Sequence, residues 1–425
     1  MTDTIFALSS GAAPAAIAVI RISGPDSADA LHRLTGRIPP PRRAIHAPLR
    51  DDAGNLLDRA LVLWLPGPNN ATGEDTAELH CHGGRAVIAA VEAALAAIPG
   101  LRPAVAGEFT RRAFANGRID LAEAEGLADL LTAETELQRR GALAMASGAF
   151  SRTVEDWRER LLTSAAMLEA ALDFADEDDV APLPAELAGG IGALREELAQ
   201  WLARPRAEAL REGFRVVIAG PPNAGKSTLF NALVEQDAAI ATPIAGTTRD
   251  VLTRPVAIAG LPFLFVDTAG LRGETADPIE AIGIDRARAA LGAADLVLWL
   301  GTEGEGPAGA WEVEAQADRA DHAVKETPRH RISAVTGQGL NAFRAALVHH
   351  ARRALPKPGE AVLNERQHRL LAEAETMLAS AAGLSDPLLV AEHLRLARVA
   401  FDGLVGRATT EHMLDALFSR FCIGK

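Results

Sequence analysis

The glycine-rich segment at residues 220–228 carries the side chains best suited to chemistry. It reads Gly-Pro-Pro-Asn-Ala-Gly-Lys-Ser-Thr and matches the G-x-x-x-x-G-K-[ST] pattern of phosphate-binding loops. In that pattern backbone N–H groups surround a polyphosphate, the catalytic candidate Lys226 reaches the outer phosphates, and Ser227 holds magnesium. An apolar run before the segment and a helical run after it favour strand, loop and helix over a glycine-rich turn without a ligand. We therefore predict a nucleoside triphosphate site whose contacts here are Asn223, Ala224, Gly225, Lys226, Ser227 and Thr228.

A second phosphate element follows the apolar residues 263–266. Asp267 stands at the end of this predicted strand, where its carboxylate suits the surroundings of a magnesium ion, and the N–H of Gly270 can sense a γ-phosphate. The polar loop at residues 242–250 lies between the two elements, and we expect it to order around the triphosphate, with Thr248 completing the magnesium coordination. This order of elements favours a switch GTPase over an ATPase and adds the nucleotide contacts Gly246, Thr247, Thr248, Asp267, Thr268, Ala269 and Gly270.

Recognition of the base is predicted to depend on Asp318. GTPases of this order carry Asn-Lys-x-Asp after the next strand, because the aspartate accepts two hydrogen bonds from guanine and rejects adenine. Here residues 315–318 read Ala-Gln-Ala-Asp, so the supporting asparagine and lysine are absent. Ser333 and Ala334 stand in a segment that resembles the last loop on the guanine side. We therefore expect these two residues and Asp318 to contact the base, and guanine to be preferred.

A segment near the N-terminus also carries polar groups at regular spacing. If residues 72–84 are extended, Glu78, His80 and His82 share one face and Cys81 lies on the other. Three such side chains suggest zinc, but no second Cys/His pair stands at a spacing that completes a zinc site. The alternatives are histidines that are hydrogen-bonded beside the Gly-Gly turn, or a Glu78 that accepts a hydrogen bond from a ring nitrogen of a small ligand.

Composition limits the class of protein. With 425 residues, 48% of them hydrophobic, the chain is long enough for two or three globular domains. The 43 basic and 56 acidic residues give a net charge of -13, which argues against nucleic-acid binding through bulk positive charge, so we expect any RNA contact to be local or shared with a partner. Cys81 and Cys422 cannot form a disulfide framework and fit a reducing compartment. Without a basic signal region or a long apolar run, we expect a cytoplasmic protein that contacts no membrane.

The composition and the apolar spacing of the elements that position these residues change along the chain. The N-terminal part alternates predicted strands, at residues 17–22 and 61–65, with alanine-rich helices such as residues 85–97, which indicates an α+β domain. Segments rich in Ala, Leu, Glu and Arg with helical apolar spacing lie on both sides of the nucleotide motifs. The predicted domains are residues 1–118 (α+β), 119–210 with 357–425 (helical), and 211–356 (nucleotide-binding, inserted).

Together these motifs resemble the family of tRNA-modification GTPases called MnmE or TrmE, over nearly the whole chain. The resemblance implies an N-terminal α+β domain, an all-helical central domain and an inserted Ras-like P-loop G domain, so that the fold class is α/β and α+β multidomain. The C-terminal CIGK motif is the most specific, because few GTPases end in that tetrapeptide. Besides the nucleotide elements, the matching motifs are RISGP at 21–25, TGED at 72–75, HCHGG at 80–84, GEFT at 107–110, NGRIDL at 116–121 and CIGK at 422–425.

The resemblance also implies a homodimer that binds 5-formyl- or 5,10-methylene-tetrahydrofolate and works with the flavoprotein MnmG. Together they install an aminomethyl-type group at C5 of the wobble uridine, position 34, of certain tRNAs. By position, the folate contacts fall on Arg21, Glu78, Arg118 and Lys425. Folate carboxylates suit the cationic side chains and a pterin suits Glu78, while Arg118 stands where the family often has lysine.

The resemblance assigns the groups that promote hydrolysis as well. Leu271 stands where Ras-type enzymes place a glutamine that orients water; in the resembling family a glutamate further along takes this role, and here that residue is Glu280. The alternative for Glu280 is an exposed helical glutamate without a catalytic role. The family uses potassium in place of an arginine finger, with Arg249 as the rival cation in this chain. The matching potassium ligands, which are also nucleotide contacts, are Asn223, Thr242, Ile244 and Thr247.

Cys422 is a candidate catalytic nucleophile, because it stands near the C-terminus beside the cationic Lys425. The alternative is a small apolar residue that packs with Phe418 and Phe421.

Two other functions stay open beside the modification enzyme. One is a regulatory GTPase for RNA or ribosome assembly without modification activity, and the other is a folate-binding scaffold with a degraded nucleotide site. The folate motifs and the CIGK ending argue against the first, since an assembly factor more often carries a basic RNA-binding domain. A measured preference for GTP over ATP would argue against the second.

Overall fold

The computed structural model describes residues 3–173, 185–235, 252–267, 289–407 and 410–424. The chain divides into two compact units, Met1–Ala128 with Asp402–Lys425, and Asp129–Phe401. The strands are β1 (Thr4–Leu8), β2 (Ile17–Ser23), β3 (Ile45–Arg50), β4 (Leu56–Leu65), β5 (Thr76–His82), β6 (Leu101–Pro103), β7 (Phe214–Ala219), β8 (Leu252–Ile258), β9 (Leu261–Asp267), β10 (Leu296–Trp299), β11 (Trp311–Glu314) and β12 (His330–Arg331). The helices are α1 (Ser27–Thr35), α2 (Arg85–Ala96), α3 (Glu108–Ala115), α4 (Leu121–Thr132), α5 (Glu136–Ala146), α6 (Ala149–Asp173), α7 (Ala185–Leu202), α8 (Ala207–Glu212), α9 (Lys226–Glu235), α10 (Leu340–Ala354), α11 (Glu365–Ala382), α12 (Pro387–Val405) and α13 (Glu411–Phe418).

Among the described residues, the first unit contains a six-stranded sheet in the order β3-β4-β5-β2-β1-β6. Its neighbouring strands pair antiparallel, except that β1 and β6 are parallel. Side chains alternate along β2 and β5, so Ile20, Ile22 and Leu79 are buried on one face in a core shared with α1 and α2. The same alternation places Arg21 and Glu78 on the other face, where polar side chains are tolerated.

The C-terminal residues of the chain pack within this first unit. Phe418 of α13 and Phe421 join Leu121 and Ala124 of α4 in an apolar cluster. Gly107, which precedes α3, has φ +70°, and a Cβ there would lie 2.2 Å from the carbonyl oxygen of Phe418. Glycine is therefore required where the turn before α3 meets the end of α13.

The described part of the second unit holds a six-stranded sheet in the order β12-β11-β10-β7-β9-β8. Its strands are parallel apart from the edge strand β8, which pairs antiparallel with β9. Because parallel strands are covered on both faces, β7 is a nearly continuous apolar run, and α9 and α10 add Leu233 and Leu347 to the same core. The carboxyl ends of these parallel strands share one edge of the sheet, which is where such folds bind ligands.

Helices make up the rest of the second unit. The Trp157 ring of α6 lies 5.8 Å from that of Trp201 on α7, and also 5.8 Å from the ring of Phe401 on α12. α11 begins at a capping box, in which the Asn364 side chain accepts a hydrogen bond from the amide of Gln367 at 2.8 Å. Aromatic packing and helix capping therefore hold this part of the unit together.

The predicted elements agree with the structure. The strands predicted at residues 17–22 and 61–65 are β2 and the second half of β4, and the helix predicted at residues 85–97 is α2. The helical segments predicted on both sides of the nucleotide motifs are α4–α7 and α11–α13. The sheets and helices confirm the α/β and α+β multidomain class, while the domain boundaries after residues 118, 210 and 356 stay predictions. No helix in the described ranges is both long and apolar enough to cross a membrane.

Candidate functional site

The phosphate loop joins β7 to α9, which begins at Lys226. Gly225 in the loop has φ +87° and Asn223 has φ +63°, a left-handed conformation that is uncommon outside glycine. Because the loop leads directly into α9, it adjoins the positive N-terminal end of that helix, which favours anions. Lys226 Nζ donates to the carbonyl oxygens of Gly220 at 3.0 Å and Pro221 at 2.7 Å, so its ammonium lies against the loop. The structure thus places the predicted phosphate-binding groups together.

Ser227 and Asp267 meet beside this loop. β7 and β9 run parallel with Ile218 opposite Asp267, which places the carboxylate at the carboxyl end of the sheet. Ser227 Oγ donates to Asp267 Oδ2 at 2.7 Å, and Asp267 is fully buried. Oxygen ligands of this kind are what Mg2+ prefers, so the two predicted residues fit a magnesium site.

A cavity of about 150 Å³ adjoins the phosphate loop. The structure brings the predicted base contacts Asp318 and Ala334 to this cavity together with Gly225 and Thr228. A base in the cavity would have its phosphates next to the loop, which is the arrangement that a nucleotide requires. The lining comes from the loop and α9 and from the segments that follow β11 and β12, namely Gly225, Thr228, Leu229, Ala315, Gln316, Asp318, Arg319, Ile332, Ala334 and Val335.

Ser333 supports Asp318 at this cavity. A hydrogen bond from the Ser333 side chain lowers the pKa of the Asp318 carboxyl below its ordinary value, with a smaller contribution from the backbone of Asp318. Ser333 is fully buried, and its Oγ accepts a hydrogen bond from the amide of Thr336 at 3.1 Å. The Asp318 carboxylate, ionised at neutral pH as an aspartate ordinarily is, can accept hydrogen bonds and suits a base that donates two of them.

Sequence reasoning missed two residues beside the cavity. Glu314, the last residue of β11, is buried and accepts hydrogen bonds from His322 Nε2 at 2.9 Å and from the amide of Lys325 at 3.1 Å. Gln316 Nε2 donates to the carbonyl oxygen of Asn223 at 3.2 Å. No pattern in the sequence marks Glu314, whereas Gln316 stands at the lysine position of the Asn-Lys-x-Asp element, where the sequence shows only that the lysine is missing.

The predicted folate residues Arg21 and Glu78 form an ion pair in the first unit. β2 and β5 place them opposite each other, and Arg21 Nε and Nη2 lie 3.1 Å and 2.9 Å from Glu78 Oε1. His80 Nε2 lies 3.2 Å from Glu78 Oε2. Burial raises the pKa of Glu78, but His80 and Arg21 outweigh burial and hold that pKa below its ordinary value. The guanidinium of Arg21 also lies 5.8 Å from the centre of the Phe109 ring.

Arg118 and His82 have different neighbours in the same unit. Arg118 is exposed, and a Cβ at Gly73 would lie 3.1 Å from its Cγ, so the stem of the arginine packs over that glycine. His82 Nδ1 pairs with Asp58 Oδ1 at 2.8 Å, so it does not share the acceptor of His80. Within the described part of the chain, no three His, Cys, Asp or Glu side chains come together as a metal site.

Cys422 is exposed, whereas Phe418 and Phe421 are buried. The alternative in which Cys422 packs with these two rings is therefore wrong, because the residue after Phe421 faces solvent instead of the apolar cluster. Ser9 Oγ donates to the carbonyl oxygen of Gly424 at 2.8 Å, which attaches the tail beside β1. The thiol is consequently open to reagents while the tail around it is held.

Of the remaining predicted site residues, only Ala224 lies in the described ranges, and it packs against the core of the second unit. Arg249 and Leu271 lie outside the described residues. The same holds for the following residues, whose roles stay predictions: Thr242, Ile244, Gly246, Thr247, Thr248, Thr268, Ala269, Gly270, Glu280 and Lys425.

A parallel sheet with a phosphate loop, a buried acid beside it and an adjoining cavity defines a P-loop protein that binds a nucleoside triphosphate. The family model of the GTP-binding protein TrmE N-terminus matches residues 4–118, and the model of the MnmE helical domain matches residues 121–422. The chain belongs to the family of the tRNA modification GTPase MnmE.

Two curated relatives carry that name. The tRNA modification GTPase MnmE of Novosphingobium aromaticivorans is 64% identical over 437 residues, covering 100% of this chain and 100% of that protein. The tRNA modification GTPase MnmE of Erythrobacter litoralis is 62% identical over 423 residues, with 100% of both chains covered. Among solved structures, Aquifex aeolicus Era bound to GDP and aluminium fluoride is 23% identical, covering 38% of this chain and 66% of that chain. Its TM-score of 0.24 is too low to support a conclusion.

Proposed function

We propose that this tRNA modification GTPase depends on potassium and acts in the cytoplasm with the flavoprotein MnmG. The pair installs an aminomethyl-type group at C5 of the wobble uridine, position 34, of certain tRNAs. Family membership over the full length of the relatives supports this proposal. For the nucleotide part, the observation that carries it is that Asp318 and the phosphate loop line one cavity.

In the proposed site the phosphates of GTP lie on the loop at residues 220–228, and guanine occupies the adjoining cavity. Asp318 accepts two hydrogen bonds from the base, and a hydrogen bond from Ser333 lowers the pKa of its carboxyl below the ordinary value. Lys226 exchanges its two carbonyl partners in the loop for phosphate oxygens, which are stronger acceptors because they are charged.

The cations of the proposed site are held by oxygen ligands. Ser227 and Thr248 hold Mg2+, and the buried Asp267 carboxylate, already bonded to Ser227, fixes that hydroxyl. When bound, the two cations offset the negative charge that builds on the phosphoryl oxygens. Glu280 orients the attacking water, since Leu271 has no polar group for that task. The proposed potassium ligands are Asn223, Thr242, Ile244 and Thr247.

Asp318→Asn tests the placement of the base. The amide donates where the carboxylate accepted, so affinity for GTP should fall by about 100-fold while xanthosine triphosphate becomes the better ligand. Asp321→Asn removes an equal charge from a residue that pairs with Arg319, and it should leave the preference for guanine intact. If Asp318→Asn keeps that preference, guanine does not lie in this cavity.

Hydrolysis in KCl and in NaCl at equal ionic strength tests the potassium proposal. Hydrolysis should be faster in KCl, and Asn223→Ala should abolish the difference while GTP still binds. Asn341→Ala, at an exposed position of α10, is the matched control and should keep the difference. Equal rates in the two salts would remove potassium from the mechanism.

The proposed folate site contains Arg21, Glu78, Arg118 and Lys425 in a homodimer. Supporting it are the half-buried Arg21–Glu78 pair and the attachment of the CIGK tail to Ser9 beside β1. Arg21→Ala should weaken binding of 5-formyl-tetrahydrofolate, measured by titration calorimetry, because a folate carboxylate loses its cation. Arg85→Ala, at an exposed arginine of the same unit, should not. Light scattering should give twice the mass of one chain, and a monomer would contradict the dimer.

Nucleoside analysis of tRNA tests the reaction itself. Cells that lack the protein should lose the modified wobble uridine, and the parent gene should restore it. Cys422→Ser should fail to restore it if the thiol takes part, whereas full restoration would dismiss Cys422. A wobble position that is the same with and without the protein would exclude the proposed reaction.

A further inference from the structure

Gln316 connects the phosphate loop to the base loop, which we define as residues 315–318. Its Nε2 donates to the carbonyl oxygen of Asn223 at 3.2 Å. A Cβ at Gly225 would lie 3.1 Å from Gln316 Cγ and 3.2 Å from its Nε2, so the side chain runs along the phosphate loop at that glycine. Gln316 also lines the cavity that Asp318 lines. One side chain therefore contacts both halves of the proposed nucleotide site.

The backbone holds Gln316 in this position. Its φ of +60° is left-handed, a conformation that glutamine adopts rarely and keeps only where surrounding contacts hold it. Its carbonyl oxygen accepts a hydrogen bond from the amide of Arg319 at 2.9 Å, which closes a turn around Asp318. The residue that it contacts, Asn223, is left-handed as well, with φ +63°. The hydrogen bond from Gln316 to Asn223 thus joins two backbone segments that are both in the left-handed conformation, which surrounding contacts must hold.

We infer that Gln316 is a positioning residue for guanine nucleotides, which fixes the phosphate loop against the base loop. The inference rests on the proposed placement of guanine beside Asp318. A lysine at this position is a cationic donor; the glutamine amide keeps the donor for the carbonyl oxygen of Asn223 without the charge. The altered Asn-Lys-x-Asp element therefore retains a connection to the phosphate loop.

Three substitutions of Gln316 in the full chain test this inference. Alanine removes one neutral hydrogen bond, which should weaken the binding of GTP and GDP alike by about threefold to tenfold. Glutamate has nearly the same shape as glutamine but presents only acceptor oxygens to the carbonyl oxygen of Asn223. The Gln316→Glu variant should therefore bind GTP and GDP more weakly than the Gln316→Ala variant does. Lysine again supplies a donor and should return the affinity toward that of the parent chain.

The kinetic pattern separates positioning from a general loss of structure. KM for GTP should rise in Gln316→Ala while kcat at saturating GTP stays unchanged, and thermal unfolding without nucleotide should be unaltered. Gln200→Ala, on the exposed side of α7, is the matched control and should change neither constant. Parent-like affinity in Gln316→Ala and Gln316→Glu, or a lysine variant as weak as alanine, would overturn the inference.

Asp318→Asn distinguishes this inference from the proposed base site. If that variant comes to prefer xanthosine triphosphate while the Gln316 variants bind GTP normally, only the positioning role fails. If Asp318→Asn keeps its preference for guanine, guanine does not lie beside Asp318. The inference that Gln316 positions guanine nucleotides is then overturned as well, because it rests on that placement.

Discussion

Replacing Glu314 by alanine should loosen the base loop. Burial raises the pKa of this carboxyl, but the hydrogen bonds from His322 and Arg331 outweigh burial and lower the pKa to about 2. Glu314 is therefore a buried anion that ties the end of β11 to residues that follow Asp318 in the chain. It accepts from His322 Nε2 at 2.9 Å, from the Lys325 amide at 3.1 Å and from Arg331 Nε at 2.7 Å.

The loss follows from these three partners, of which Arg331 also donates a second hydrogen bond, from Nη2 to Glu314 Oε2 at 3.1 Å. Lys325 is 3% exposed, so its amide meets no water once the carboxylate is removed, which costs about 1–3 kcal/mol. The Arg331 side chain is 53% exposed and rehydrates, so it contributes little, while the largely buried His322 loses one hydrogen bond, and the two together contribute about 1–2 kcal/mol. The free energy of opening the base loop should therefore fall by about 3 kcal/mol.

Hydrogen exchange measured by mass spectrometry on peptides that cover residues 315–325 tests this prediction. A fall of about 3 kcal/mol corresponds to roughly 100-fold faster exchange of the protected amides. Affinity for GTP should fall as well, because Asp318 lies in the loosened loop. Glu305→Ala, at an exposed position before β11, should change neither quantity. Parent-like exchange in Glu314→Ala would refute the reasoning.

Three further predictions concern pH, the C-terminal tail and a helix cap. A hydrogen bond to Glu314 raises the pKa of His322 above 6.5, so its stabilisation is present below that pH and is lost as the pH rises through the raised pKa. Exchange in the base loop, corrected for its intrinsic pH dependence, should therefore speed up as the pH rises through that raised pKa, and His322→Gln should remove this effect. Gly424 has φ +96°, and a Cβ there would lie 2.1 Å from a backbone oxygen of β1. Gly424→Ala should therefore release the tail from Ser9, and carboxypeptidase should trim it about tenfold faster. Asn364→Ala removes the N-cap of α11 and should lower the free energy of opening its first turn by about 1 kcal/mol, measured by hydrogen exchange.

Much of the nucleotide site could be predicted from short contiguous motifs. The glycines and Lys226 of the phosphate loop act through the conformation of one strand, one turn and one helix end, and residues 214–235 fold locally in that order. Asp267 could be predicted for the same reason, because the apolar run before it indicates a buried strand that ends at the acid. The alternation of Glu78 and Cys81 on opposite faces likewise follows from the period of a strand.

The pairing of distant residues could not be predicted in this way. Arg21 meets Glu78 because two strands align in one register, and Glu314 meets Arg331 because β11 and β12 are neighbours in the sheet. The exposure of Cys422 likewise depends on how the chain turns after α13 rather than on its own side chain.

Gln316 shows most clearly which features can be predicted from the sequence and which depend on tertiary packing. From the sequence it marked a missing lysine, while in the structure its amide reaches a carbonyl oxygen of the phosphate loop. The sequence by itself determined the family motifs, the elements and the phosphate loop, since these depend on local backbone geometry and apolar periodicity. Only the tertiary structure decided which polar groups satisfy one another, because a buried donor or acceptor takes whichever partner the packing of distant segments brings within about 3 Å.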